Sequence, residues 1–187
     1  MLANTFFENK VEQILDVSKR FAAALEGTGI SYRVIGGLAV FLHVDKIDPL
    51  AARLTRDVDV AIERKHLETI RAAVEPFGFR YRHAAGMDMF LQGETGKARS
   101  AVHVVFIGEK VRPGDLTAIP GSEPVRTAEG IAIAPVADLV RMKLTSFRLK
   151  DKVHVQDMDS VGLITPEIEQ GLPEALLTRL REVRATE

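Results

Sequence analysis

The sequence predicts an α+β fold, in which helices pack on a small mixed β-sheet and a helical tail follows. Two observations predict it. Helix-period and strand-period segments alternate through the first two thirds of the chain, and the last third carries helical patterns. An order of helix, strand, helix, strand, helix, several strands and then helices suits a small mixed sheet with helices on one side.

The first half of the chain carries the clearest periodicity. Apolar residues recur at spacings of three and four from Phe7 to Leu25, and Gly27 and Gly29 end this helix. The segment DVDVAI alternates Asp with apolar residues, which is the pattern of a strand. In order, the pattern predicts a helix over 5–27, a strand over 31–35, a short buried helix over 38–44, a strand over 57–62, a helix over 64–76 and strands over 79–83, 87–92 and 101–107.

The second half is predominantly helical. Residues 112–130 carry three Gly and three Pro, which indicates a loop. Pro135 is a residue type favoured at the first position of a helix. The pattern predicts a strand over 131–134 and helices over 135–148, 151–161 and 173–184.

The chain of 187 residues has the length of one domain. A domain of this size buries about 70% of the surface that its unfolded chain exposes. We expect a single domain over 1–187, with an N-terminal helix at 5–27, a core at about 28–134 and a helical tail at about 135–187.

Composition excludes several classes of function. The chain has no cysteine, which excludes disulfides, thiolate metal sites and cysteine nucleophiles. Its 25 Lys and Arg balance 26 Asp and Glu, for a net charge of −1. This balance argues against a protein coated in positive charge for nucleic acid, although a local basic patch remains compatible with it. The absence of Trp argues against stacking platforms for single strands.

No membrane or export signal is evident. No stretch approaches about 18 uninterrupted apolar residues, and the first residues lack a basic region followed by an apolar run. We therefore expect a cytoplasmic protein with no membrane partner.

A glycine pair, Gly36-Gly37, stands directly after a predicted strand and before a predicted helix. Glycine allows close approach of a backbone to a ligand, and a helix N-terminus offers free N–H groups to phosphate. The alternative without a ligand is a strand-to-helix turn that needs glycine for steric reasons alone.

Two carboxylates follow in a strand pattern. Asp57 and Asp59 are two residues apart, so they point to the same face of the strand. A divalent cation between them would relieve their repulsion, and oxygen ligands suit Mg²⁺ or Mn²⁺. Phosphate-binding residue types precede the pair, namely Arg53, Thr55 and Arg56. The alternative is a solvated face on an edge strand.

A lysine interrupts the apolar face of the predicted helix 135–148. Lys143 lies four residues after Leu139 and four before Phe147, so it either extends to the rim of the core or points into a cleft. The segment from Arg141 to Lys152, which includes Arg148, holds five basic residues and one acidic residue. It therefore predicts a local positive patch.

Together these residues resemble the DNA polymerase β-like nucleotidyltransferase superfamily. The resemblance rests on Gly36-Gly37 opening a helix and on RLTRDVDV some twenty residues later. The segment VADLVRMKLTSFRLKDKVHVQDM is similar to bacterial uncharacterised nucleotidyltransferases and to abortive-infection toxins of type IV toxin–antitoxin systems. The resemblance covers roughly residues 31–162.

The resemblance implies a role for each motif. Gly36 and Gly37 would hold the triphosphate, with Arg53, Thr55, Arg56 and Arg148 as further nucleotide-binding residues. Asp57 and Asp59 would bind catalytic Mg²⁺ or Mn²⁺, and Lys143 would meet phosphate charge. The reaction would transfer a nucleoside monophosphate from a nucleoside triphosphate to an acceptor hydroxyl of tRNA, protein or a small molecule. A cognate antitoxin or partner subunit would be a further partner.

Two positions depart from the family pattern. The family usually places a third Asp on a later strand, but the predicted strand 101–107 offers only His103 as a polar residue. A neutral imidazole ligates a metal or accepts a proton, so His103 is a catalytic candidate, although a structural role is the alternative. Asp88 and Glu109 are substitutes for the missing carboxylate. Leu38 stands where many members have a Ser phosphate ligand.

These departures keep a second function open, a non-catalytic nucleotide- or RNA-binding module on the same fold. A last cluster, Asp151, His154 and Asp157, has helical spacing and ligand-type side chains. We interpret it as hydrogen-bonded packing, because Arg148 and Lys150 are available to pair with the carboxylates. A metal site is the alternative.

Overall fold

The structure, a computed structural model, describes residues 2–53, 55, 57–93 and 101–186, with side chains from residue 11 onward. Seven strands form one mixed sheet in the order β3-β4-β5-β2-β1-β7-β6. The strands are β1 (Tyr32–Ile35), β2 (Val58–Ile62), β3 (Phe79–Ala84), β4 (Met87–Gln92), β5 (Val102–Phe106), β6 (Val125–Arg126) and β7 (Ala132–Ile133). The helices are α1 (Leu2–Leu25), α2 (Gly36–Asp45), α3 (Leu67–Val74), α4 (Val136–Ser146), α5 (Leu149–Ser160), α6 (Pro166–Gln170) and α7 (Glu174–Arg184).

The register of β2 decides which side chains share a face of the sheet. β2 pairs with β1 antiparallel, where Asp59 lies opposite Ile35, and with β5 parallel, where Asp59 lies opposite His103. On β5, His103 in turn lies opposite Met89 of β4. Because side chains alternate between faces, Asp59, His103 and Met89 share one face.

The opposite face of the sheet carries the core. Phe21 of α1 contacts Tyr32, Phe79 and Phe90 at ring-centroid distances of 5.7–5.8 Å. Aromatic pairs at such angled geometry add to the stabilisation that burial alone provides. The buried side chains of α7, Leu176, Leu180 and Val183, belong to the same hydrophobic cluster as the sheet residues. The last helix, α7, packs against α4 and α5 and so joins the same hydrophobic cluster as the sheet.

The predicted element order is confirmed, with five differences. The predicted helix 64–76 is regular only over α3, because short 3-10 turns flank it and the second contains a proline. The predicted loop 112–130 contains β6, whose two residues pair with β7 and are too few for a periodic signal. Pro135 precedes α4 as its extended N-cap residue instead of opening it, and the short α6 was not predicted.

The fifth difference is the break between α4 and α5. A helix over 135–148 was predicted, but α4 ends at Ser146 because Phe147 adopts the left-handed conformation, with φ of +51°. Arg179 of α7 donates hydrogen bonds of 2.7 Å to the carbonyl oxygens of both Leu144 and Thr145. The Phe147 ring also contacts the cationic groups of Lys152 and Arg179, at 4.2 and 4.8 Å from the ring centroid. These contacts hold a strained turn that local periodicity does not signal.

None of the helices in the described part of the chain combines the length and the apolar character that crossing a membrane requires.

Candidate functional site

The candidate site begins where β1 meets α2. Gly36 opens α2 with φ of +70°, a conformation that favours glycine. A Cβ at this position would overlap the carboxylate of Asp59. The glycine therefore serves both a turn and a close approach to the second carboxylate of the pair. Both requirements are steric, and they agree with the alternative of a turn that needs glycine for steric reasons alone as well as with a ligand-binding turn.

Gly37 faces a different set of side chains. A Cβ on Gly37 would lie 2.7 Å from Thr55 Oγ1 and 3.3 Å from His154 Cε1. The first turn of α2 has no side-chain cap, because Ile35 occupies the N-cap position. Leu38, which stands in the place of a Ser, is buried. The first turn of α2 thus offers backbone N–H groups, with Thr55 and His154 beside them.

Asp59 and His103 meet on neighbouring strands. His103 Nδ1 lies 3.4 Å from Asp59 Oδ1, and each side chain is about one-third exposed. This interaction raises the pKa of His103 above its usual value, and the charge of Asp57 acts in the same direction. Both carboxylates therefore lie within electrostatic reach of the imidazole. Since β2 is an interior strand, the alternative of a solvated edge strand is wrong.

Lys143 does not extend freely toward the site. Its side chain is only 7% exposed, and its ammonium lies 3.1 Å from Asp151 Oδ1. Burial lowers the pKa of Lys143, while Asp151 opposes that change. Arg148 Nε donates to Asp151 Oδ2 at 2.7 Å, and the Ser146 hydroxyl donates to the same oxygen. Burial alone would raise the pKa of Asp151, but these cationic partners lower it well below its usual range.

The Asp151 cluster thus anchors Lys143, and leaves Arg148 half exposed at the N-terminus of α5. Arg53 is 66% exposed, and its Nε donates to Asp157 at 2.8 Å. The predicted packing role of Asp151 and Asp157 agrees with these bonds. His154 differs, because its Nδ1 is buried and has no hydrogen-bond partner among the residues that the structure describes. Arg56 lies outside the described residues.

The two substitutes for the third carboxylate lie elsewhere. Asp88 is opposite Val104, on the sheet face away from His103, and it accepts hydrogen bonds from Tyr81 and His83. Glu109 binds both nitrogens of the Arg64 guanidinium at 2.6 Å. Neither side chain completes the set around Asp59.

Sequence reasoning missed two residues near the site. His154 was assigned to packing, and Lys150 was noted only as a possible ion-pair partner. Lys150 makes no ion pair with any described residue, and its charge acts on both His103 and His154. Their spacing on α5 contained a signal, since i and i+4 residues share a helix face. Only the packing of α5 beside α2 shows which element that face meets.

The donor set fits a hard divalent cation that also binds substrate. Over the described ranges, with 54, 56 and 94–100 left aside, no group of three or more His, Asp or Glu side chains is arranged to hold a metal. Mg²⁺ is usually held by one or two carboxylates together with substrate phosphates. Asp59 supplies one such carboxylate beside the uncapped first turn of α2, and Asp57, just before β2, acts electrostatically on the same His103. The arrangement suits chemistry at a phosphate group.

Comparisons with known proteins add the fold. No protein-family model matches the chain, and no curated protein matches it in sequence. A nucleotidyltransferase-like antigenic protein from Paracoccidioides brasiliensis aligns with a TM-score of 0.59 at 16% identity, over 94% of this chain and 89% of that one. The solution structure of the antibiotic-resistance factor ANT(2'')-Ia aligns with a TM-score of 0.58 at 13% identity, over 95% of both chains. At such identities the likeness concerns the fold, and this chain has the α+β fold of these nucleotidyltransferase neighbours.

Proposed function

We propose that this protein is a metal-dependent nucleotidyltransferase, which moves a nucleoside monophosphate from a nucleoside triphosphate to an acceptor hydroxyl. The observation that carries the proposal is the placement of the Asp59 carboxylate against Gly36, at the uncapped first turn of α2. This arrangement juxtaposes a carboxylate pair for a cation with backbone N–H groups for phosphate. The shared fold of the two neighbours supports it.

The described residues have the following roles in the proposed reaction. The N–H groups of α2 and the Thr55 hydroxyl bind the triphosphate, and Arg148 adds positive charge. Asp57 and Asp59 would hold the divalent cation, which when bound supplies charge neutralisation at the transferring phosphoryl group. Lys143 acts behind the site, because it neutralises Asp151 and so positions Arg148.

We assign to His103 the role of accepting the proton of the acceptor hydroxyl. The acceptor hydroxyl forms a new O–P bond to the α-phosphorus, the bond from that phosphorus to the bridging oxygen breaks, and pyrophosphate leaves. The hydroxyl proton goes to the imidazole of His103, which lies against Asp59. Where the family pattern has a carboxylate, a histidine thus serves as the base.

A thermal-shift panel tests the proposal. The four nucleoside triphosphates are added with Mg²⁺, with Mn²⁺ or with a chelator, to the wild type and to Asp57→Ala/Asp59→Ala. A nucleotide at about a hundred times its Kd stabilises the folded state by about 2.7 kcal/mol. We expect a metal-dependent shift that the double variant loses and that Asp16→Ala, an exposed carboxylate on α1, retains. A shift retained in the double variant would place the nucleotide elsewhere.

A second, more specific proposal concerns the acceptor and the biological role. We propose an acceptor hydroxyl on tRNA or protein and a toxin-like role, on the similarity of the 136–158 segment to abortive-infection toxins. Expression of the wild type should then arrest growth, and Asp57→Ala should relieve the arrest. Arrest that persists in this variant contradicts the toxin-like role and leaves the nucleotide assignment standing.

The replacement of the third carboxylate by His103 favours one alternative, a nucleotide- or RNA-binding module without turnover. Since His103 brings no negative charge of its own, the site would hold a cation less strongly. Pyrophosphate release separates the two functions. Nucleotide binding that persists without metal, with no pyrophosphate released in the presence of candidate acceptors, would support the module.

A further inference from the structure

His154 is a polar side chain next to the first turn of α2, where the triphosphate is proposed to bind. The proposed reaction gives this side chain no role. It projects from α5 toward the first turn of α2, where its Cε1 would lie 3.3 Å from a Cβ at Gly37. The Thr55 hydroxyl approaches the same point at 2.7 Å. A residue with a side chain at position 37 would therefore displace both groups.

Neither ring nitrogen has a partner in the described part of the chain. Nδ1 is buried and unpaired, and Nε2 makes no hydrogen bond with a described residue. Buried polar atoms are nearly always hydrogen-bonded, and exceptions cluster where a ligand or ion belongs. The unpaired ring beside uncapped N–H groups therefore points to a ligand with hydrogen-bonding atoms.

The surrounding charge defines the kind of ligand. Lys143 of α4 and three residues at the start of α5, Arg148, Lys150 and Asp151, act electrostatically on the ring. Burial and these cations lower the pKa of His154 to about 4, so the ring is neutral at pH 7. The one carboxylate among them, Asp151, is already bound to Lys143, Ser146 and Arg148. These three cations favour an anionic ligand, while Asp59, which also acts on Lys143 and Arg148, would be offset by the divalent cation of the proposed site.

We propose that His154 is a phosphate-contacting residue, whose ring N–H donates a hydrogen bond to a phosphate oxygen of the nucleotide at the first turn of α2. Thr55 contacts the same group from the other side. The inference rests on the proposed function, since it assigns a further residue to the nucleotide site. A side chain at position 37 would displace Thr55 and His154, the two residues that the proposal assigns to the phosphate.

Calorimetric titration with two probes, Mg²⁺·ATP and inorganic tripolyphosphate, tests the proposal. His154→Phe keeps a ring and removes both nitrogens, whereas His154→Gln keeps a neutral hydrogen-bond donor. We expect His154→Phe to weaken the affinity for both probes about tenfold or more, and His154→Gln to restore much of it. His83→Phe, an exposed histidine on β3, is the matched control and should bind as the wild type does.

A spectroscopic measurement excludes a purely structural effect. Bound tripolyphosphate should raise the pKa of His154, seen as a shift in its imidazole NMR titration that is absent from His83. Two results together would overturn this inference alone: wild-type affinity in His154→Phe, and an NMR titration of His154 in the wild type that tripolyphosphate does not change. A loss of affinity confined to ATP would assign the ring to the base or sugar and overturn the phosphate contact. A wild type that binds neither probe overturns the proposed function as well.

Discussion

Position 36 requires glycine for two reasons, its left-handed backbone conformation and the close approach of Asp59. A non-glycine residue in the left-handed region costs about 1–2 kcal/mol, and a Cβ here would also displace the Asp59 carboxylate. We expect Gly36→Ala to lower the free energy of unfolding by about 2–4 kcal/mol, measured by urea denaturation.

Gly78 provides the matched control for this effect. Its φ is +83°, and nothing lies within 4 Å of a Cβ built on it. Gly78→Ala should therefore cost only the backbone part, about 1–2 kcal/mol. Equal losses at the two positions would show that Asp59 has room to move, and would remove the steric argument for Gly36.

His154 makes stability depend on pH. Its pKa falls from 6.5 in the unfolded chain to about 4 in the folded state, so the unfolded chain takes up a proton first as the pH falls. Stability should therefore decrease between about pH 6.5 and pH 4. Allowing for solvent screening of a partly exposed ring, we expect a loss of about 1–2 kcal/mol from this residue.

Urea unfolding at several pH values measures this loss. The difference between wild type and His154→Gln isolates the ring, because the carboxylates titrate in both proteins. The variant should lose less stability across the interval. Parallel pH profiles would mean that the folded chain protonates His154 as easily as the unfolded chain does.

At the scale of elements, Arg179 holds the α4–α5 turn. Its two hydrogen bonds satisfy carbonyl oxygens at the end of α4, and its guanidinium contacts the Phe147 ring. Hydrogen bonds to charged groups contribute about 1.5–3 kcal/mol, and the two bonds here share one nitrogen, Nη1 of Arg179, so they do not count as two full contributions. We expect Arg179→Met to lower the free energy of unfolding by about 2–3 kcal/mol, with faster amide exchange over residues 147–151.

Arg181 is the control on the same helix. It forms an ion pair with Glu174, and both side chains are more than 60% exposed. Exposed pairs contribute about 0–1 kcal/mol, so Arg181→Met should change stability by no more than that. Similar losses in the two variants would show that Arg179 acts only through general helix stability.

At the scale of the whole molecule, α7 belongs to one hydrophobic cluster with the sheet. Leu176 is fully buried in that cluster. Leu176→Ala should lower the free energy of unfolding by about 2–5 kcal/mol and shift a single unfolding transition. Leu149→Ala, at a position 83% exposed, should leave the transition within about 0.5 kcal/mol of the wild type.

The probes for this experiment are far-UV circular dichroism and hydrogen exchange of the α7 amides. A tail that unfolded in a separate transition would contradict the expectation of one domain over the whole chain. Coincident transitions would instead agree with it.

The sequence by itself determined the order of elements and two of the motifs. Periodicity is a local property, so the strand with Asp59 and the glycine pair that opens α2 could be predicted directly, although Asp57 lies just before the strand and not in it. The boundaries that it misplaced depend on contacts from distant elements. Phe147 ends α4 where Arg179 of α7 binds the last carbonyl groups, and β6 exists through its pairing with β7.

Only the tertiary structure decided which side chains meet. Pairing of β5 with β2 places His103 against Asp59, and packing of α5 beside α2 places His154 against Gly37. The same packing couples Lys143 to Asp151, where the pattern left a choice between the rim and a cleft. Sheet order and helix packing arise because surfaces that are remote in sequence are buried against each other. The local spacing of residues does not indicate which surfaces these are.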